Sequence, residues 1–269
     1  MLLVFGLTAC LPQAINPQLI EEESMELNPG QTIQVDIDAG EIHIANSAGN
    51  QLEVRAELRN PAQTHFQLER TLDGAQISCT GDGSNRDPSQ VLIEIGIPEG
   101  VIVSINGYAA DVTMRQVNGE VRVFTTVGDI SLQDSTGNFN LNSNRGNIEV
   151  KSSKGSILVS GNYGLLSVED SHGEIGVSTI MGTIRFLGSP NDLDIIRLET
   201  DHGPVEVQLG DGSSLSAEIE TTSGQVACTM FAFTPVGRGC TGLLGDGSAS
   251  LWVRTVSGAV SLQPLQPKP

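Results

Sequence analysis

A chain of 269 residues, 38% of them hydrophobic, has enough apolar material for one large or two smaller folded domains, which excludes disorder throughout. Aromatics make up only 4% of it against 31 glycines, and Val, Ile, Thr and Ser recur, a composition of short strands and tight turns rather than helices. With 14 Lys plus Arg against 32 Asp plus Glu, the net charge of −18 repels polyanions, so no nucleic-acid partner is expected.

The chain opens on MLLVFGLTAC, an apolar run ending in Leu7, Thr8, Ala9 and Cys10. This resembles the lipobox of bacterial lipoproteins, departing from it in an n-region without Lys or Arg. The resemblance implies a signal peptide over 1–9, a diacylated Cys10, and a membrane partner reached through that lipid anchor. Leu11 is not an acidic retention residue, so the expected location is the cell envelope, at the outer membrane where the cell has one. LPQAINPQLIEEESMELNPG follows, and its Pro, Gln and Glu read as a flexible tether that carries residues 10–30. No other stretch approaches the ~20 apolar residues of a spanning helix.

Residues 31–100 alternate as strands do in QTIQVDIDAGEIHIANSAGNQLEVRAEL and QVLIEIGIPEGVIVSINGY, with TGDGSNRDPSQ between them as a loop. A stack of strands needs its open end blocked, and this segment is expected to be that N-terminal cap.

From 101 to 263 the chain repeats one phrase. Gly119, Gly128, Gly137, Gly146, Gly155, Gly164, Gly173 and Gly182 keep a step of nine without a slip. The second and fourth residues after each are apolar, as in Val121 and Val123, Ile130 and Leu132, or Ile148 and Val150. Period-two alternation is a strand with one buried face, and the glycine suits a corner where the backbone is strained. A unit of one strand and one turn cannot bury its own apolar face, so units must stack. The expected fold is all-β: a right-handed parallel β-solenoid built of nine-residue strand-turn units.

The residue three before each glycine sorts the units into two sets. One holds Thr125, Ser143, Gly161 and Thr179; the other holds Gln116, Asp134, Ser152 and Asp170. The first set continues as Thr200 before Gly203, Thr221 before Gly224 and Thr255 before Gly258. Two strands per coil of about eighteen residues are therefore expected, with a Thr/Ser ladder along one edge at the ~4.8 Å strand spacing. A triangular coil of three units is the alternative. An insertion near 229–247 partly covers the far end, and residues 264–269 form a tail.

Cys228 and Cys240 bracket TMFAFTPVGRG, and a disulfide between them is one expectation for an oxidising envelope compartment, two free thiols the other. Cys79 reads as a small buried hydrophobe. The cysteine spacing is no zinc pattern, and no metal or cofactor is expected.

IPEGVIVSINGYAADVTMRQVNGEVRVFTTVGDISL, TTSGQVACTM and GDGSASLWVRTVSGAVSL resemble the bacterial putative-adhesin (DUF4097-like) family of β-solenoid domains, with phrases of the T-x-S-G-D-I kind after a P-x-G strand. The resemblance spans roughly Gln31 to Leu262 and implies an envelope β-roll or β-helix, often lipid-anchored, without catalytic residues to carry across.

Hidden chemistry has little to stand on. The calcium-binding roll needs G-G-x-G-x-D, which is missing; GDG at Gly81, Gly210 and Gly245 reads as turn chemistry. Asp134 and Asp170 read as solvated turn residues rather than a cation-binding ladder. A β-helix polysaccharide lyase would need walls around a cleft and a gathered base. The uninterrupted repeat offers none, and Arg145, Lys151, Lys154, His172, Arg185 and His202 are expected to point outward or lie in turns. The expected function is a non-catalytic envelope lipoprotein presenting a rigid surface to a surface glycan or protein ligand. The first alternative is a sensing or scaffold module of an envelope-stress system; a polysaccharide-active enzyme is the second.

Overall fold

The computed structural model describes residues 19–59, 61, 63–81, 91–230 and 232–265. Among them the regular elements are strands, joined into one hydrogen-bonded network. The N-terminal part contains β1 (Leu19–Glu26), β2 (Thr32–Asn46), β3 (Gln51–Leu58), β4 (Thr64–Arg70), β5 (Gly74–Gly81) and β6 (Val91–Ile97). The middle contains β7 (Ile102–Arg115), β8 (Asn118–Val127), β9 (Ile130–Gln133), β10 (Thr136–Arg145) and β11 (Ile148–Lys151), then β12 (Lys154–Tyr163), β13 (Leu165–Glu169), β14 (His172–Thr179) and β15 (Thr183–Gly188). The C-terminal part contains β16 (Ile195–Thr200), β17 (Val205–Leu209), β18 (Leu215–Thr221) and β19 (Val226–Cys228), then β20 (Phe233–Val236), β21 (Gly239–Leu244), β22 (Ala249–Thr255) and β23 (Val260–Pro264).

The chain is a parallel β-solenoid with two strands per coil. Strand β10 lies between β8 and β12 with Gly137 opposite Gly119 and Gly155. Strand β11 lies between β9 and β13 with Ile148 opposite Ile130 and Leu166. Each partner is one eighteen-residue coil away, so the triangular alternative falls. One face carries the longer strands β8, β10, β12 and β14, the other the shorter β9, β11, β13 and β15. Between them the second and fourth residues after each glycine, from Val121 and Val123 to Ile184 and Phe186, are buried. Each such side chain contributes about 1.5–3 kcal/mol by leaving water, which is the force that makes one coil seek the next.

Glycine recurs at the corners because coils touch there. At Gly137, Gly155 and Gly173 on one side, and at Gly203, Gly258 and Gly224 on the other, an added Cβ would overlap the carbonyl oxygen of a stacked glycine. Backbone strain, the reason expected from sequence, is not the common factor. Gly203, Gly224 and Gly258 are absent from the positive-φ glycines, yet an added Cβ would overlap there all the same.

The two residue sets occupy opposite corners. Thr125, Ser143, Gly161, Thr179, Thr200, Thr255 and Thr221 stack in register. The sequence placed this ladder along one edge of the coils; the structure buries it there, with Thr125, Ser143 and Thr255 fully enclosed. A buried hydroxyl needs a partner, and the T-x-x-G phrase supplies one. The Thr179, Thr200, Thr221 and Thr255 hydroxyls accept the N–H of Gly182, Gly203, Gly224 and Gly258 at 2.8–3.0 Å. At the other corner Gln116, Asp134, Ser152 and Asp170 take the left-handed conformation, φ 47° to 54°. A second ladder, which the sequence reading missed, follows them. Ser135, Ser153 and Ser171 are buried, and each hydroxyl donates to the carbonyl two residues back at 2.8–2.9 Å while accepting an N–H from the preceding coil at 3.1–3.3 Å.

Stacking order departs from chain order at both ends. Strand β2 belongs to the solenoid rather than to a cap ahead of residue 101: it lies between β7 on one side and β5 and β6 on the other. Strands β22 and β23 insert between β16 and β17 and the terminal pair β18 and β19, so the threonines stack as Thr200, Thr255, Thr221. Antiparallel strands close both ends. Strand β4 pairs with β5, β3 with β6 and β1 with β3, while the β20–β21 hairpin pairs with β18. Residues 19–26, expected as part of the tether, are thus a paired edge strand. Its sequence, LIEEESME, sets charge on an exposed edge, which discourages pairing with another chain.

Ile148→Asp would leave a carboxylate in this dry interior, and the expected cost is about 4 kcal/mol or more; a wild-type denaturation midpoint would refute the inward register. Thr255→Ala strands the buried Gly258 N–H and is expected to cost about 1–3 kcal/mol, with Thr255→Ser recovering most of it, as urea titration would show.

Candidate binding faces

On the long-strand face three outward rows cross the strands. The middle row runs Ser104, Arg122, Asn140, Leu158, Gly176, Arg197 and Trp252. The row beside it runs Asn106, Phe124, Asn142, Ser160, Ser178, Glu199 and Arg254. Short amides, hydroxyls and one bare glycine leave a shallow trough. Phe124 is 49% and Leu158 48% exposed on it. Phe124 is thus an exposed ring in a chain with only 4% aromatics. Each arginine is held by a glutamate: Arg122 by Glu120, Arg197 by Glu174 at 3.4 Å and Arg254 by Glu220 at 3.8 Å.

The short-strand face is different in charge. Near β1 a groove of about 810 Å³ is lined by Glu22, Glu23, Glu53 and Glu94 with His43, Arg55 and Arg115. Arg55 reaches Glu94 at 2.8 Å, Glu22 at 3.5 Å and Glu57 at 3.8 Å, and the hydrogen bond to Glu94 raises its already high pKa. Four lining glutamates against two arginines leave the groove acidic. Further along, Asp111, Asp129 and Asn147 each accept the backbone N–H one coil on, from Asp129, Asn147 and Leu165, at 2.7–2.9 Å. These side chains staple coils together.

The bases singled out in the sequence are not gathered. Lys151 pairs with Glu149 at 2.6 Å and Arg185 with Glu206 at 3.0 Å on the short-strand face. His172 bonds Asp194 at 2.8 Å in a loop, and His202 bonds Ser257 at 2.8 Å at a corner. Arg145 and Lys154 are exposed at opposite ends of the paired strands. Asp134 and Asp170 are exposed turn residues. Gly210 and Gly245 open turns, as expected, and the GDG at Gly81 runs beyond the described residues. No group of His, Cys, Asp or Glu that could hold a metal ion occurs among the described residues.

Cys228 and Cys240 are joined as a disulfide, tying the terminal strand β19 to the hairpin strand β21. Of the two expectations left open by the sequence, the structure takes the bonded one. Cys79 is a buried free thiol, pushed up to about 12 by burial and, less strongly, by the charges of Asp38 and Glu21. Cys10 lies outside the described residues.

The described residues thus define a two-faced parallel β-solenoid with two strands per coil. The chain belongs to the Toastrack DUF4097 family, whose profile matches residues 30–263. Similar solved structures include a putative adhesin from Bacteroides fragilis NCTC 9343, 12% identical, covering 92% of this chain and 98% of that one with a TM-score of 0.41. A putative cell adhesion protein from Clostridium sporogenes ATCC 15579 is 12% identical over 92% of this chain and 100% of that one, TM-score 0.31. A putative lipid binding protein from Parabacteroides distasonis ATCC 8503 is 10% identical over 92% and 97%, TM-score 0.25. No curated protein matches the chain.

Chelation with EDTA is expected to leave the melting temperature unchanged; a fall of several degrees would reveal a structural cation. Reducing the Cys228–Cys240 bridge is expected to lower stability by about 3 kcal/mol, read as a shift in guanidinium midpoint with and without dithiothreitol. Native Cys79 should meanwhile stay unreactive to iodoacetamide.

Proposed function

We propose that this chain is a non-catalytic lipoprotein of the cell envelope that holds a rigid solenoid off the membrane and uses an outer face for adhesion or ligand binding. The long-strand face carries this reading: its amide, hydroxyl and apolar groups stand on strands hydrogen-bonded on both sides, so a ligand meets a surface ordered before it arrives. The lipobox-like LTAC precedes β1 in the sequence, and β1 pairs with β3 among the strands that close one end of the stack, which supports an anchor joined to that end. At ~4.8 Å per strand, the path from β5 to β18 on the long-strand face is about 43 Å. The separation of Lys151, Lys154, Arg145, Arg185, His172 and His202 supports a role without catalysis.

The test is intact mass and membrane fractionation of wild type and Cys10→Ala in a bacterial host. It is paired with adhesion of beads coated with the full-length chain to bacterial and host cell surfaces. The expected outcome is a diacyl mass and membrane association that Cys10→Ala abolishes, with specific bead retention. An unmodified soluble wild type would defeat the anchor, and beads that no surface retains would defeat the adhesion reading in favour of a sensing or scaffold module.

A further inference from the structure

Taking the long-strand face as the binding face, as the reading above does, we infer that its trough is a site for an uncharged, hydroxyl-rich glycan chain. Three depressions of about 430, 350 and 270 Å³ lie on this face and share walls. Asn140 and Asn142 link the smallest to the other two, and Ser160, Ser178 and Glu199 are common to the larger pair. Together they cross from β7 to β22, about 29 Å at the ~4.8 Å strand spacing, which suits a linear polymer rather than a compact ligand.

The lining decides the chemistry of that polymer. Among its lining residues Arg122, Arg197 and Arg254 are matched in number by Glu174, Glu199 and Asp201, and Glu120 and Glu220 stand beside them as salt-bridge partners, so the trough has no surplus of positive charge. A polyanion would need unpaired cations, and each arginine already faces a glutamate. A polycation would be drawn to the more acidic groove on the short-strand face. An extended peptide binds a sheet through a free backbone edge. The strands under the trough spend their backbone groups on neighbouring coils, so they offer it none.

A pyranose chain has the matching two-sided character, with C–H faces that pack on apolar side chains and a rim of hydroxyls that exchange hydrogen bonds. Phe124, Leu158, Ile180 and Val256 are exposed at the trough walls and provide the apolar contacts. The Asn140 amide, the Ser178 hydroxyl, the capacity left on Asn142 and Ser160 after Asn142 donates to Ser160 at 2.6 Å, and the spare N–H groups of the salt-bridged arginines provide donors and acceptors in the same span. Gly176 keeps the floor open in the middle row.

The experiment is native affinity electrophoresis of the full-length chain in gels containing dextran, yeast mannan or xyloglucan as neutral probes, and alginate as an acidic one. Phe124→Ala removes a ring contact. Gly176→Gln fills the floor, where an added Cβ meets only the end of the Leu158 side chain at 2.9 Å. Glu206→Gln on the opposite face is the control. Retardation by at least one neutral probe and not by alginate is expected. Each trough variant should lose about tenfold in affinity at an unchanged melting temperature, the control nothing. Retardation by alginate alone, by no probe, or equally in Phe124→Ala and the control would overturn the assignment. Should Gly176→Gln fail to fold, Phe124→Ala still decides. Coated beads separate the two readings: adhesion that survives both trough variants and is not competed by the neutral probes retains the binding role and removes the glycan, whereas beads that never adhere remove both.

Discussion

Successive coils of the solenoid are fastened by parallel backbone hydrogen bonds, and that spacing leaves no room for a Cβ at most of the repeat glycines. The glycine at those positions follows from this contact. A side chain at Gly137 would overlap the carbonyl of Gly119, and the same holds from Gly203 to Gly182 and from Gly224 to Gly258. Once the corners are that close, the inward residues of successive coils stand in line: Phe139 over Val121 and under Ile157, Ile148 between Ile130 and Leu166. Apolar burial then rewards the arrangement that the glycines permit.

Turning a chain twice per coil brings backbone groups inside, where an unpaired one is costly. Two polar ladders resolve this. At one corner a threonine hydroxyl takes the N–H of the glycine three residues on; at the other, buried serines bridge a carbonyl within their own coil to an N–H in the coil before. Asp111, Asp129 and Asn147 do the same from outside. Side-chain polarity at the corners is thus spent on the backbone frame, whereas on the flat faces it pairs side chain with side chain, as where Asn142 donates to Ser160 at 2.6 Å and Arg197 meets Glu174.

The ends show a further physical limit. A parallel stack exposes unpaired strand edges, and each end here is closed by strands running the other way. Strand β2 and the β22–β23 coil sit one layer in from the terminal coils rather than outermost. The disulfide between Cys228 and Cys240 holds the C-terminal closure to the last coil, and glutamates blunt β1. Fraying at either end therefore requires loss of a cap before a coil.

Local pattern alone determined much of this architecture. The step of nine, the alternation after each glycine and the two residue sets 116–134–152–170 and 125–143–161–179 define strands, inward phase and eighteen-residue coils, because each is a property of neighbours along the chain. The long-strand trough was not readable in that way. Phe124, Asn142, Ser160 and Arg254 become one row only after coils stack, and Arg254 joins it through β22 being inserted out of order. The burial of the threonine ladder was hidden for a related reason: whether a hydroxyl at a turn faces water depends on the coil above it. Spacing sets what each unit is, whereas the order of stacking, fixed by non-local hydrogen bonds and shared burial, decides which units meet and what surface they present.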